Sequence, residues 1–70
     1  MKVKRMVLRN GMILSIGDTV KLTLFDVNGD TYDKQGKIER LYMVENDHGI
    51  RMDGHDYLLG FIHNLEIIEE

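Results

Sequence analysis

Ile16-Gly17-Asp18-Thr19-Val20-Lys21-Leu22 is answered nineteen residues on by Gly36-Lys37-Ile38, and this pair of openings decides the fold. Gly17-Asp18 is turn chemistry, and after it Val20, Leu22 and Leu24 alternate with polar residues, as a half-buried strand requires. The strand is expected over 19–25. Asp26-Val27-Asn28-Gly29-Asp30 then reads as loop, and a second strand is expected to open at Gly36 and run to about Val44. In that strand the period of two breaks, because Ile38 and Leu41 are three apart with Glu39 and Arg40 between them. A β-bulge or sharp bend near 39–40 would aim both at one core.

Working outward, Asn10-Gly11 sits between apolar runs at 3–9 and 12–15, which predicts a hairpin with a two-residue turn. Leu8 would then face Ile13, and Val7 would face Leu14. Towards the C-terminus, Glu45-Asn46-Asp47-His48-Gly49 reads as a turn, Ile50 and Met52 flank Arg51 on a short strand, and Asp53-Gly54-His55-Asp56 turns again. Tyr57 to Ile62 reads as a strand, His63-Asn64-Leu65 as a tight helical turn, and Glu66-Ile67-Ile68 as the closing strand. No helix of ordinary length is expected. The class is all-β, in one domain over 1–70.

The Gly17-Asp18-x-Val20 turn, the Gly36-Lys37-Ile38-x-x-Leu41 opener and the ending Phe61-Ile62-His63-Asn64-Leu65-Glu66-Ile67-Ile68 together resemble the SH3-like small β-barrels. The KOW-type family belongs to these, as do many short uncharacterised phage and prophage proteins. The resemblance covers about residues 16–70. It implies a five- to seven-stranded barrel, with the 1–15 hairpin as an addition and a short 3-10 turn before the last strand. It also implies nucleic-acid binding as one function of the class.

Seventy residues without cysteine must hold together by apolar burial and backbone pairing, since neither disulfides nor cysteine-based zinc sites are available. No apolar run approaches the ~20 residues that span a bilayer, and Arg9, Asn10 and Gly11 break the N-terminal stretch that imitates a signal peptide. No membrane partner is expected, and the location expected is the cytoplasm. The net charge of −3 is unevenly spread: residues 1–25 carry five basic side chains against Asp18 alone, while residues 26–70 carry four against eleven acidic ones.

Candidate chemistry is sparse. Asp26, Asn28 and Asp30 imitate the first ligands of a calcium loop, but Thr31 stands where that loop needs glycine and Lys37 where it needs glutamate. His48 and His63, with Asp47, are the one metal constellation to weigh, and the ordinary reading is of surface turn histidines. No nucleophile stands in a dyad or triad pattern, and a small barrel fills its interior with its own side chains, so no enzyme and no cofactor is expected. A protein-interaction module is the leading reading, binding through an exposed strand edge or an aromatic face. Phe25, Tyr32, Tyr42 and Tyr57 would supply the aromatics. The alternative is nucleic-acid (RNA) binding through Lys34, Lys37 and Arg40 beside Tyr32 and Tyr42, opposed by Asp30, Asp33 and Glu39 between them. A third reading takes the acidic C-terminal part as a mimic of phosphates. Met6, Leu8 and Ile13 would give the 1–15 hairpin one apolar side, through which two copies would pair.

Overall fold

A computed structural model of the chain describes residues 2–68. In it one long strand organises everything else. β5 (Thr31–Val44) follows β1 (Lys2–Val3), β2 (Arg5–Val7), β3 (Ile13–Ser15) and β4 (Thr19–Phe25). After it come β6 (Asp47–Met52), β7 (His55–Leu58), a 3-10 turn (Leu59–Phe61) and β8 (Asn64–Ile68). The first half of β5 pairs with β4, from Phe25 opposite Thr31 to Thr19 opposite Lys37. Its second half pairs with β6 on one side and with β1 on the other. All these ladders are antiparallel, in the order β7-β6-β5-β4-β8, and β2 and β3 make a separate two-stranded ladder. Strands β7 and β8 stand at the two ends and share no ladder among the described residues, so the sheet is bent but open along that seam.

The bend lies where the broken alternation placed it. Ile38 faces Met52 and Arg40 faces Arg51, leaving Glu39 as the extra residue of a bulge. Ile38 and Leu41 consequently both point into the core, and both are buried. The Gly17-Asp18 turn is tied to the same place: Gly17 donates its N–H to the Ile38 carbonyl at 2.8 Å, and Ile38 donates to the Asp18 carbonyl at 2.9 Å. Asp18 also accepts the Ser15 N–H through Oδ2 at 2.9 Å.

Several boundaries differ from the sequence expectation. β5 opens at Thr31, five residues before Gly36, so Asp30–Gln35 is not a long acidic loop. Residues 31–37 have no strand on their far side among the described residues, and polar, charged sequence is what a sheet edge tolerates. The turn between β5 and β6 is only Glu45-Asn46, and the helical turn is Leu59–Phe61 instead of His63–Leu65. The Asp47 carboxylate fixes it there, taking the Gly60 N–H on both oxygens at 3.1 Å. A single side chain thirteen positions before Gly60 thus ties the turn in its place, which no local pattern shows.

The N-terminal hairpin is also shifted by one residue. Val7 faces Ile13 and Met6 faces Leu14, because the loop is Arg9-Asn10-Gly11, closed by Leu8 and Met12 at 2.8 Å with Gly11 at φ 87°. The β4–β5 turn repeats this design with Val27-Asn28-Gly29, closed by Asp26 and Asp30 at 2.8 Å with Gly29 at φ 83°. In both, a short polar side chain holds the loop: Asn10 Oδ1 takes the Met12 N–H, and Asp26 Oδ1 takes those of Asn28 and Asp30. An Asn-Gly pair serves a three-residue loop with glycine last as readily as a two-residue turn. The extra residue inverts the hairpin's faces. Met6 and Leu14 enter the core, while Val7 and Ile13 lie outside at 63% and 48% exposure.

One apolar cluster results: Met6, Leu14, Val20, Leu22, Leu24, Ile38, Leu41, Ile50 and Met52 are buried, with Val3, Leu8, Met12, Tyr57, Leu59, Ile62, Leu65 and Ile67 packed against them. The hairpin contributes to this cluster, so it is more than an appendage. The apolar side expected for self-pairing does not exist as drawn, since Met6 is buried and Ile13 lies on the opposite face from Met6 and Leu8. No helix of the described residues is long and apolar enough to cross a membrane.

Candidate functional site

Strand registers place the seven candidate residues. Phe25 and Lys37 lie on the outer face of the β8-β4-β5 part of the sheet, at opposite ends of the same ladder, about 20 Å apart along the strands. Phe25 is packed by the His63 ring, edge on, with centroids 5.2 Å apart. Tyr32 and Lys34 lie on the opposite face, in line with Leu24 and Leu22. Tyr57 faces Ile50 and packs against the core. Arg40 and Tyr42 are neighbours on one face, and Lys37 lies on the same outer side of β5 across the bulge, three residues before Arg40. The combined basic and aromatic patch of Tyr32, Lys34, Lys37, Arg40 and Tyr42 therefore does not assemble whole: alternation along β5 puts Tyr32 and Lys34 on the face opposite Lys37, Arg40 and Tyr42.

Around Arg40 and Tyr42 the outer face of the β5-β6-β7 part is built row by row. Arg40 faces Arg51, which faces Asp56. Tyr42 faces Gly49, which faces Leu58. Val44 faces Asp47. Arg51 Nη1 donates to Asp56 Oδ2 at 3.0 Å, and the Tyr42 hydroxyl donates to Asp56 Oδ1 at 3.0 Å. The Tyr42 ring lies over Gly49, where any Cβ would overlap it. Partial burial of the phenol, then its bond to the Asp56 carboxylate, raise the Tyr42 pKa above the usual 10.0, against the pull of Arg51 and Arg40. Two arginines directly opposite on one face repel each other. The ion pairs among the described residues are Arg51–Asp56 and Lys21–Glu66, so Asp56 balances one guanidinium and Arg40 keeps its charge.

The third row runs into a cleft of about 730 Å³. Leu8, Arg9 and Asn10 from the hairpin tip form one wall. Val44 to His48 form a second, and Leu58 to Phe61 a third. A smaller hollow of about 210 Å³, lined by Leu8, Met12, Leu59 and Ile62 among others, shares Leu8, Asn10 and Leu59 with it. Phe61, which lines the larger cleft, is 77% exposed. Because the 3-10 turn is held to Asp47 through Gly60, this wall is fixed to the β5–β6 turn.

Sequence reasoning missed Phe61, Val44, Leu58 and Arg51. The run Leu58-Leu59-Gly60-Phe61 carried a signal, since glycine inside an apolar run marks a break that can leave a large side chain outside. His48 lines the cleft, whereas His63 packs on Phe25 and lines the smaller hollow. Among the described residues no three histidine or carboxylate side chains come together as a metal site. No family model, no curated protein and no solved structure matches the chain.

Proposed function

We propose that this chain is a small, non-enzymatic protein-interaction module on an SH3-like scaffold, and that its docking site is the cleft between the hairpin tip and the 3-10 turn. The observation that carries the reading is Phe61, 77% exposed, lining a cleft in which Leu8, Val44, Leu58 and Leu59 stand among polar side chains and whose 3-10 wall is tied to Asp47 through Gly60. A large aromatic with one side free, beside a rigid hollow, is the usual anchor of a protein contact. Strand β7 adds to this, for its outer edge is unpaired among the described residues and leads directly into the cleft wall at Leu58. A partner segment that pairs with β7 and sets an apolar side chain in the cleft uses both features.

Selection of random twelve-residue peptides on the full chain tests this. Enriched peptides are expected to shift the NMR signals of Leu8, Val44, Leu58 and Phe61. Their binding is expected to drop about tenfold or more in Phe61→Ser, the scale of a lost aromatic anchor. Failure to enrich any peptide, or binding that ignores Phe61, overturns the proposal. Nucleic-acid binding is the second reading, supported by Arg40 and Arg51 opposite each other in the row next to Tyr42.

A further inference from the structure

The outer face of β5-β6-β7 and the cleft are one continuous surface. Going down β5, Val44 at the cleft, Tyr42 and Arg40 follow each other at every second residue, about 13 Å from first to last. Arg40 and Arg51 close the stripe at its far end, side by side. Their juxtaposition opposes like charges across a strand pair, and Asp56, already bonded to Arg51 and Tyr42, is the single carboxylate in that row. The Glu39 carboxylate, next to Arg40 in sequence, is directed to the Gly54 N–H at 2.9 Å. Arg40 is thus an exposed guanidinium without an ion-pair partner among the described residues, set about 13 Å from an apolar anchor site.

From this geometry we infer that the module's partner is an extended acidic peptide segment, whose apolar side chain fills the cleft and whose carboxylate, about four residues along, pairs with Arg40 and Arg51. The inference rests on the cleft as the docking site and adds the chemistry of the partner, with the segment crossing the outer face of β7-β6-β5 instead of pairing with the β7 edge. Charge complementarity carries it: a carboxylate accepts two N–H donors from a guanidinium, and a second guanidinium opposite strengthens the site while removing the repulsion between the two. Tyr42, pinned by Asp56 and Gly49, gives the segment a rigid apolar surface between its two anchors.

The same peptide selection separates this inference from its premise. Peptides enriched on the natural chain are expected to carry Asp or Glu three to five residues from an aromatic or aliphatic anchor. Selection on Arg40→Glu, an exposed position that should fold normally, is expected to lose that acidic bias. Synthetic copies of the enriched peptides should bind Arg40→Glu about tenfold more weakly, and the difference should shrink at 0.5 M salt, where the Debye length is only about 4 Å. Cleft-binding peptides with no acidic bias, or equal binding by Arg40→Glu, overturn the inference while leaving the docking site standing. No enrichment at all overturns both. A single-stranded RNA oligonucleotide that displaces every selected peptide from the Arg40 face also overturns it, in favour of a nucleic-acid partner.

Discussion

At Gly49 the missing side chain is what lets Tyr42 lie flat on the sheet, and the flat ring in turn brings its hydroxyl to Asp56. This small assembly has a measurable consequence. The folded Tyr42 phenol titrates above the unfolded value of 10.0, because burial and the neighbouring carboxylate both disfavour the phenolate. Its contribution to stability is therefore complete below pH 10 and lost as pH rises through the folded value. Tyr42→Phe should remove that alkaline loss, and at neutral pH should cost about 0.5–1.5 kcal/mol for the missing hydrogen bond. Denaturant unfolding at pH 7 and between pH 9.5 and 11.5 checks both expectations. Ultraviolet titration of the chain minus that of Tyr42→Phe should show a midpoint above 10. A midpoint at or below that of free tyrosine contradicts the Asp56 contact.

Among the elements, β5 does most to shape the molecule, and Glu39 is the residue that bends it. Removing Glu39 would restore plain alternation between Ile38 and Arg40, so the faces of β5 would survive while its bend would not. Glu39→Ala, by contrast, removes only the bond to the Gly54 N–H and should cost about 0.5–1.5 kcal/mol. The deletion should destabilise the chain clearly more than the alanine variant, as read from urea midpoints, because without the bend the β4 and β6 ends of the sheet could no longer close over one core. Equal effects would mean that the bulge merely accommodates an extra residue. The bend was legible in advance because two buried positions three apart cannot lie on one face of a regular strand. The start of β5 was not legible, since Thr31–Gln35 holds its place by pairing with β4 and carries no apolar pattern of its own.

At the scale of the whole molecule, the N-terminal hairpin and the bent sheet share one core. Met6 and Leu14 are buried in it, and β1 pairs with β5. A chain lacking residues 1–15 is expected to lose cooperative unfolding, since a domain this small has little apolar burial to spare. Amide dispersion in NMR and a thermal scan by circular dichroism check this, and a truncated chain with a sharp transition near the full chain's would contradict it. The same hairpin also supplies one wall of the cleft through Leu8, Arg9 and Asn10, so the site and the core depend on one docking event.

Sequence alone determined the all-β class, the strand at Thr19–Phe25, a bulge or bend near 39–40 and the Gly17-Asp18 turn, because period-two alternation, its interruption and turn chemistry are local properties. It also named Arg40 and Tyr42. Tertiary structure decided which candidates share a face, since a bulge and a one-residue change of loop length invert side-chain directions without altering composition. It also decided the site. Phe61, Val44 and Leu58 come together in the cleft, and Arg51 comes beside Arg40, only when Asp47 ties down the 3-10 turn and three antiparallel strands set their registers, and such cross-chain relations leave no mark in any single segment.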